Sequence, residues 1–475
     1  MQSRRDQVQA HLFVLSRLAS GMLRAEPDAP DTPTGRTTRG AVAGLALGVL
    51  IALVVTVIGV LKPGGSTEWA KPGTLVVVEE TGARYLYLGG LLHPVLNQAS
   101  AKLLAGDQLT VQQVSERSLS SVQRGAPVGL LGAPDGLPAA AALAAQQTWL
   151  TCAEPAGAAA KLALAIGPRT EGAPLTPTQA LLVSAPDSTQ YLLWQGRRLR
   201  VDVHNSAEQA LGYTSATVTP FPVGAAFLDT LPAGPDLTAP DIPGRGSPGP
   251  VLAARQTRVG QLFEAPGGAR YVLTTTGLAP LSALQYALLR GDPRTQSVAY
   301  ADAAPAPVAI GPADLAAHTA AAPPSSPLPA DPPELVTPAP GQALCADLHP
   351  TTDAAPRTSV TVLDSAALDG QSPTAQPGVA PSCTPADRIA VRPGGGALVR
   401  ATLAGGSPGA AEYLVTDGGV KYPVPSAAAA KQLGYASVPP AAVPDTLLAL
   451  LPTGPSLDPA APATGVPTPP AGSAC

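Results

Sequence analysis

Hydrophobic positions near the start of the chain fall into two patterns. Between Gln7 and Arg24, Val8, Leu12, Leu15, Ala19 and Met22 recur at steps of three and four, one apolar stripe of an amphipathic helix whose end Gly21 weakens. From Ala41 to Leu61 the run AVAGLALGVLIALVVTVIGVL carries no charge. About 21 residues at a helical rise span roughly 31 Å, the thickness of a bilayer core. Pro27, Pro30 and Pro33 predict the end of the first helix and a stiff spacer between the two. Arg4, Arg5, Arg17, Arg24, Arg36 and Arg39 precede the apolar run, against Lys62 and Lys71 after it, which places the start of the chain in the cytoplasm and the rest outside. A cleaved signal peptide fits less well, because the basic region is long, the apolar run exceeds an ordinary signal core and no A-x-A site follows.

Beyond the apolar run, short alternating segments repeat. Thr81 to Gly106, Asp187 to Gly212, Gly267 to Gly291 and Gly409 to Gly434 share one order. A tyrosine (Tyr85, Tyr191, Tyr271, Tyr413) opens a strand, and a glycine (Gly90, Gly196, Gly277, Gly418) marks the turn. After a second short strand, a capping residue (Asn97, Asn205, Ser282, Ser426) leads an alanine-rich helix that ends on Gly106, Gly212, Gly291 or Gly434. Another apolar strand precedes each tyrosine, as at Leu75 to Val78 and Leu181 to Val183, so each unit reads as a β-meander closed by one helix.

The units are unevenly spaced, and the insertions after the first and third echo one another. Pro127-Val128-Gly129-Leu130 with Asp135 parallels Pro307-Val308-Ala309-Ile310 with Asp314, and Cys152-Ala153-Glu154 parallels Cys345-Ala346-Asp347. Units two and four share the exits Leu231-Pro232-Ala233-Gly234-Pro235 and Leu451-Pro452-Thr453-Gly454-Pro455. The expected architecture is an α+β chain: one N-terminal transmembrane helix, then an elongated, pseudo-twofold extracytoplasmic body of four β-meander/helix repeats around a central, mostly β domain. Its segments are a cytoplasmic helix and spacer (1–40), the membrane helix (41–61), repeat one (66–110), central half A (111–179), repeat two (180–231), a linker (232–256), repeat three (257–295), central half B with a Pro/Ala-rich linker (296–394), repeat four (395–453) and a disordered tail (454–475). Pro232 to Pro250 and Ala303 to Pro340 are so rich in Pro, Ala, Gly and Ser that no packed structure is expected there.

Composition narrows the chemistry. Only 4% of residues are aromatic and 13% charged, so packing rests on small aliphatic side chains, and a net charge of -4 argues against nucleic acid. All four cysteines follow the apolar run and none stands in a C-x-x-C pair, which favours disulfides over metal. The matching triplets favour Cys152–Cys345 among the three connectivities that four cysteines allow. No P-loop and no G-x-S-x-G is present. The histidines His11, His93, His204, His318 and His349 are scattered, and Gly394-Gly395-Gly396 lacks the lysine that a phosphate loop requires. The repeat tyrosines, with Trp69, Trp149 and Trp194, are expected to fill the core rather than stack on sugars. No catalytic residue, cofactor or metal ligand is expected.

Four stretches resemble the EccB family, the single-pass membrane component of actinobacterial type VII secretion systems. They are Ser3-Arg4-Arg5-Asp6-Gln7, Leu23-Arg24-Ala25-Glu26-Pro27-Asp28-Ala29-Pro30, Arg84-Tyr85-Leu86-Tyr87-Leu88 and Leu92-His93-Pro94-Val95-Leu96-Asn97. Departures are the proline-rich linkers, Arg200 where a proline stands in the pattern, and Cys383 and Cys475. The resemblance implies a structural subunit of a channel that exports small helical-hairpin proteins, set in a hetero-oligomer with other secretion membrane components, with self-association, and served by a separate FtsK-like motor ATPase. Members have been described as hydrolysing ATP, an activity that no motif in this chain supports. The residues by themselves also suit a second class, a membrane-anchored cell-wall glycan-binding module. The stripe Val8, Leu12, Leu15, Ala19 and Met22 separates the two, because a wall anchor has no need of a cytoplasmic docking helix.

Overall fold

A computed structural model describes residues 4–24, 33–61, 67–144, 147–157, 159–168, 172–213, 218–320, 327–352, 356–403 and 407–461. The spacer at Pro27 and Pro30, Cys475 and the tail beyond residue 461 lie outside them. The chain divides into two compact units, one of Met1–Ala70, Val76–Ala83 and Gln112–Val122, the other of Lys71–Leu75, Arg84–Val111 and Gln123–Cys475.

The first unit holds two long helices, Arg4–Arg24 and Pro33–Leu61. Pro33, expected in the spacer, instead begins the second helix, where a proline has no hydrogen bond to lose and its fixed φ suits the first turn. Glu80, exposed at a turn, accepts the Glu116 N–H at 2.8 Å and so satisfies the start of the short helix Glu116–Leu119.

Sheets of one strand order recur in the rest of the chain. Gln179–Ser184, Gln190–Trp194 and Arg197–Arg200 form an antiparallel meander, and after a helix Phe221–Pro222 returns parallel to the first strand. Leu262–Glu264, Arg270–Thr274, Gly277–Pro280 and Val308–Ala309 do the same, as do Gly396–Thr402, Pro408–Thr416, Lys421–Val424 and Ala441–Pro444. Thr74–Val78, Arg84–Leu88, Leu91–Pro94 and Thr110–Val114 stand in the same order. Each repeat tyrosine lies across its hairpin from the same register position: Tyr85 opposite Pro94, Tyr191 opposite Arg200, Tyr271 opposite Pro280 and Tyr413 opposite Pro423. All four tyrosines are only half-buried, so they cover the rim of the core rather than fill it.

Several local expectations are corrected. Asn97, Ser282 and Ser426 cap their helices, but Asn205 does not. In that repeat Asp202 accepts the Asn205 N–H and caps a 3-10 turn, and the helix shrinks to Ala207–Ala210. Gly418 lies in the turn of the fourth repeat, and the positive φ there, 70°, falls on its neighbour Gly419. The helix Ala283–Gly291 does end on Gly291, where a Cβ would sit 2.3 Å from the Cβ of Ala210. Hydrogen there is what lets the helices of repeats two and three touch. The echo between 127–130 and 307–310 is not positional: Val308 pairs with Phe263, whereas Val128 runs beside Val95.

The segments expected to be linkers are packed. Leu237, Ala239 and Ile242 are buried in the cluster that holds Val272, Leu284 and Leu288. Between residues 303 and 340 stand Val308–Ala309, the helix Pro312–His318 and Glu334–Leu335, the last pairing with Gln179 and Ala180. The tail expected from Gly454 begins ordered, with Leu457 fully buried and its N–H donated to the Pro423 carbonyl at 2.9 Å.

The two insertions build a six-stranded sheet in the order Arg388–Val391, Ala159–Ile166, Trp149–Ala156, Gln342–His349, Arg357–Asp364, Ala173–Pro174. One face carries Trp149, Ala153, Leu344 and Ala346 into a cluster with Leu181, Phe227, Val399 and Leu447. The other carries Leu150, Cys152, Ala343 and Cys345, covered by Leu363 and Leu368. Repeat one packs on repeat four, with Lys102 Nζ donating to the Leu433 carbonyl at 2.9 Å, and repeat two packs on repeat three. Two buried tyrosines fasten repeats to the insertion of the opposite half. Tyr213 donates to the Pro333 carbonyl at 2.7 Å and Tyr435 to the Pro138 carbonyl at 2.8 Å.

Burial pushes Tyr213 and Tyr422 up to about 12, and Tyr435 higher still. Burial also lowers Lys421 to about 8. Between pH 8 and roughly 10 the unfolded chain holds the Lys421 proton that the folded chain has released, so stability rises with pH. Above roughly 10 the unfolded tyrosines ionise while the buried ones stay neutral, and stability falls. Urea unfolding of the oxidised protein from pH 7 to 12 is expected to show that maximum, and Lys421→Met is expected to flatten only its rising limb. A monotonic profile would exclude this account.

Candidate assembly site and membrane anchor

Three features have the geometry of an assembly component. The helix Pro33–Leu61 contains an apolar span, Thr37–Val57, of mean hydropathy 2.6 with none of it buried. It is long and apolar enough to cross a membrane. It starts earlier than the run from Ala41, so Arg36 and Arg39 share the helix and stand at its N-terminal end.

The helix Arg4–Arg24 holds all five residues of the stripe, and Val8 at 58%, Leu12 at 60%, Leu15 at 50% and Met22 at 82% are exposed, as is Ala19. Val14 and Leu18 are exposed too, and at 100° per residue they extend the stripe along one flank. The periodic reading missed them because it followed a single line of steps of three and four. Asp6 in the first turn suits the positive end of the helix dipole.

At the centre of the six-stranded sheet, Cys152 and Cys345 stand directly opposite one another in an antiparallel pair and form a disulfide, with Cα atoms 4.0 Å apart. Leu344 faces Ala153 and Ala346 faces Thr151 on either side of it, so the local register is centred on the bond. Cys345 lies on the same face as Leu150 and Ala343 and is fully buried, as is Cys152. Cys383 is also disulfide-bonded, which excludes a Cys345–Cys383 bridge.

Catalytic geometry is not found where it was sought. The Gly394 N–H donates to Asp417 Oδ2 at 2.8 Å and the Gly395 N–H to the Arg392 carbonyl at 2.8 Å, so these amides face no phosphate. A cavity of about 420 Å³ beside repeat two is lined by Asp187, Asp202 and Asp236 together with Arg200 and His204. A backbone hydrogen bond from Thr189 holds the Asp187 carboxyl low. Burial opposes the same effect at Asp202, where bonds from Asn205 and Thr238 outweigh it. A larger cavity of about 500 Å³ has Arg392, Asp369 and Asp417 among its lining residues. Among the described residues no group of three or more His, Cys, Asp or Glu is placed to hold a metal ion. Trp69, Trp149 and Trp194 are buried, which removes them from any sugar-stacking surface. His93 hydrogen-bonds the Ala126 carbonyl at 2.9 Å.

The family model of the type VII secretion system ESX-1 transport TM domain B, EccB, matches residues 1–468. The chain belongs to the EccB family. It is a structural membrane subunit of a type VII secretion system. This EccB-family chain is 30% identical over 476 residues to the ESX-3 secretion system ATPase EccB3 of Mycolicibacterium smegmatis (strain ATCC 700084 / mc(2)155), covering 95% of this chain and 89% of that one. It is 28% identical over 466 residues to the ESX-1 secretion system ATPase EccB1 of Mycobacterium tuberculosis (strain ATCC 25618 / H37Rv), covering 95% and 92%. Among solved structures, its fold is similar to a chain of an intact ESX-5 inner membrane complex, with a TM-score of 0.66, 23% identity and coverage of 100% of this chain and 98% of that one. It is also similar to the EccB3 dimer from the ESX-3 core complex, with a TM-score of 0.64, 27% identity and coverage of 82% and 99%.

Proposed function

We propose that this EccB-family chain anchors the extracytoplasmic part of a type VII secretion channel to its cytoplasmic part. Its N-terminus lies in the cytoplasm, the helix Pro33–Leu61 crosses the lipid bilayer once, and the body lies outside. The helix Arg4–Arg24 docks through Val8, Leu12, Leu15, Ala19 and Met22 on another membrane component of the complex. A separate FtsK-like motor ATPase drives export of small helical-hairpin proteins, and the chain contacts itself and other secretion subunits in a hetero-oligomer.

The observation that carries this reading is the division of the chain by one membrane helix between an exposed apolar helix with flanking arginines and a body fastened by a buried disulfide. An oxidised core suits the outside, and arginines stay inside. The relatives are named ATPases, but this chain has no P-loop pattern and the amides of Gly394 and Gly395 in its glycine-rich turn are satisfied by the protein's own Asp417 and Arg392. We therefore assign no nucleotide hydrolysis to it.

Protease added to spheroplasts is expected to degrade the body after residue 66 and to spare the helix Arg4–Arg24. A protected body with a digested N-terminal segment reverses the topology. In mild detergent the chain is expected to co-purify with other secretion membrane proteins. Purification alone, with retention on isolated cell wall, supports the glycan-binding module instead.

A further inference from the structure

Unfavourable features gather where repeats two and three meet. The helices Ala283–Gly291 and Ala207–Ala210 touch at Gly291 and Ala210, with no room for a side chain on the glycine. On the second helix, Glu208 Oε2 is buried and has no hydrogen-bond partner among the described residues. Just beyond the first, Thr295–Ala299 is a π-helical turn, and Ala301 and Asp302 follow it at φ 51° and 69°, where a Cβ crowds the backbone. A buried orphan oxygen and two consecutive left-handed non-glycine residues persist only where stronger contacts hold them in place.

Those contacts centre on one ion cluster. The Asp292 side chain is fully buried and that of Arg245 is 9% exposed. Arg245 Nη1 donates to Asp292 Oδ2 and to Thr295 Oγ1, both at 2.9 Å. Arg294 Nε donates to both Asp292 oxygens at 3.1 Å, and the Arg294 N–H donates to Asp292 Oδ1 at 2.8 Å, so the same carboxylate also caps the strained turn. Arg245 belongs to the segment between the two repeats, whose Leu237, Ala239 and Ile242 are buried with Leu284 and Leu288 of repeat three. The pair therefore joins the connecting segment to the strained turn.

We infer that Arg245 and Asp292 form a conformational latch. While the pair is made, residues 292–302 keep their strained form and repeats two and three move as one arm. Loss of either charge leaves the other unpaired in the core, the turn relaxes, and the repeats part where Gly291 meets Ala210. Charge makes this contact releasable: apolar side chains of the same volume would pack here with no partner to lose. Arg294 gives the cluster a way out, because it is 45% exposed and also feels Asp202 of repeat two and Asp241 of the connecting segment. Release has a second consequence. The Tyr300 hydroxyl accepts the Leu262 N–H at 2.8 Å and donates to the Ala306 carbonyl at 3.0 Å, so a relaxed turn also frees that strand amide. The latch is independent of the membrane placement proposed above.

Hydrogen exchange of the full chain in detergent, read by mass spectrometry, tests this. Arg245→Met removes one charge, and Asp292→Asn removes the other while keeping a capping oxygen. Each is expected to speed exchange roughly tenfold or more in residues 207–212 and 283–302 and to leave the six-stranded sheet unchanged. The double variant is expected to exchange no faster than the faster single one, because a broken pair cannot be broken twice. Ala301→Gly relieves the turn without touching a charge and is expected to slow exchange in 292–302. Unchanged exchange in both single variants overturns the latch, and effects that multiply in the double variant overturn the pairing. Faster exchange in 292–302 alone overturns the parting of the repeats. Faster exchange across the six-stranded sheet as well makes the cluster a general support of the body and overturns a local latch.

Discussion

Replacing Cys152 and Cys345 together by alanine is expected to lower the unfolding free energy of the body by about 2 to 5 kcal/mol. The upper figure comes from chain entropy: the bond closes a loop across a sequence separation of 193, which on that model constrains the unfolded chain by roughly 5 kcal/mol. Alanine suits the site because the sulfurs face apolar neighbours, Leu150, Ala163, Ala343 and Leu363, whereas serine would bury two hydroxyls there. The strands themselves are expected to stay paired, since their register continues on both sides of the bond from Trp149–Leu348 to Ala153–Leu344. The double variant should therefore fold, with the same circular dichroism, and unfold at lower denaturant. Guanidinium unfolding of both proteins, each kept in the same detergent, measures the difference. A loss below about 1 kcal/mol would mean that sheet pairing and the tyrosine contacts hold the halves without covalent help.

What could be read from sequence, and what could not, follows the range of the forces involved. The long apolar helix was legible because an uncharged run has few alternatives in water, and only its start moved, to Pro33, where helix geometry tolerates a proline. The mixed α+β class with its hairpins was legible from alternation and turn glycines. Capping in repeat two was not, because Asp202 and Asn205 are both short polar residues and either can bond a free N–H. Leu237, Ala239 and Ile242 were hidden in a segment whose proline content resembles a linker, although a proline-rich chain can still lay single apolar side chains on a neighbour. The pairing of repeat one with four and of two with three is non-local and left no mark in any window of sequence. A trace of the tyrosine contacts was present: Leu211-Gly212-Tyr213 recurs as Leu433-Gly434-Tyr435, and both tyrosines donate to a proline carbonyl in the opposite half.

Leu12→Asp combined with Leu15→Asp is expected to release the chain from a large detergent-stable complex and to stop secretion. Both leucines are exposed on the helix Arg4–Arg24, on the line that runs from Val8 to Met22. A leucine that becomes fully buried in a partner contributes about 1.5 to 3 kcal/mol, so two lost leucines and two desolvated carboxylates exceed what most transient interfaces hold in reserve. The apolar run and the Cys152–Cys345 pair lie in other parts of the chain, so membrane insertion and that bond are expected to survive, and non-reducing mapping checks the second directly. Ala10→Ser, about a third of a turn or more from each of the five stripe residues, serves as the control and is expected to leave the complex intact. The variant carrying both aspartates is compared with it by native electrophoresis of detergent extracts and by secreted protein in the medium. If both aspartates leave assembly and export unchanged, the helix is not a docking element, and the anchored glycan-binding module becomes the better account of the body it tethers.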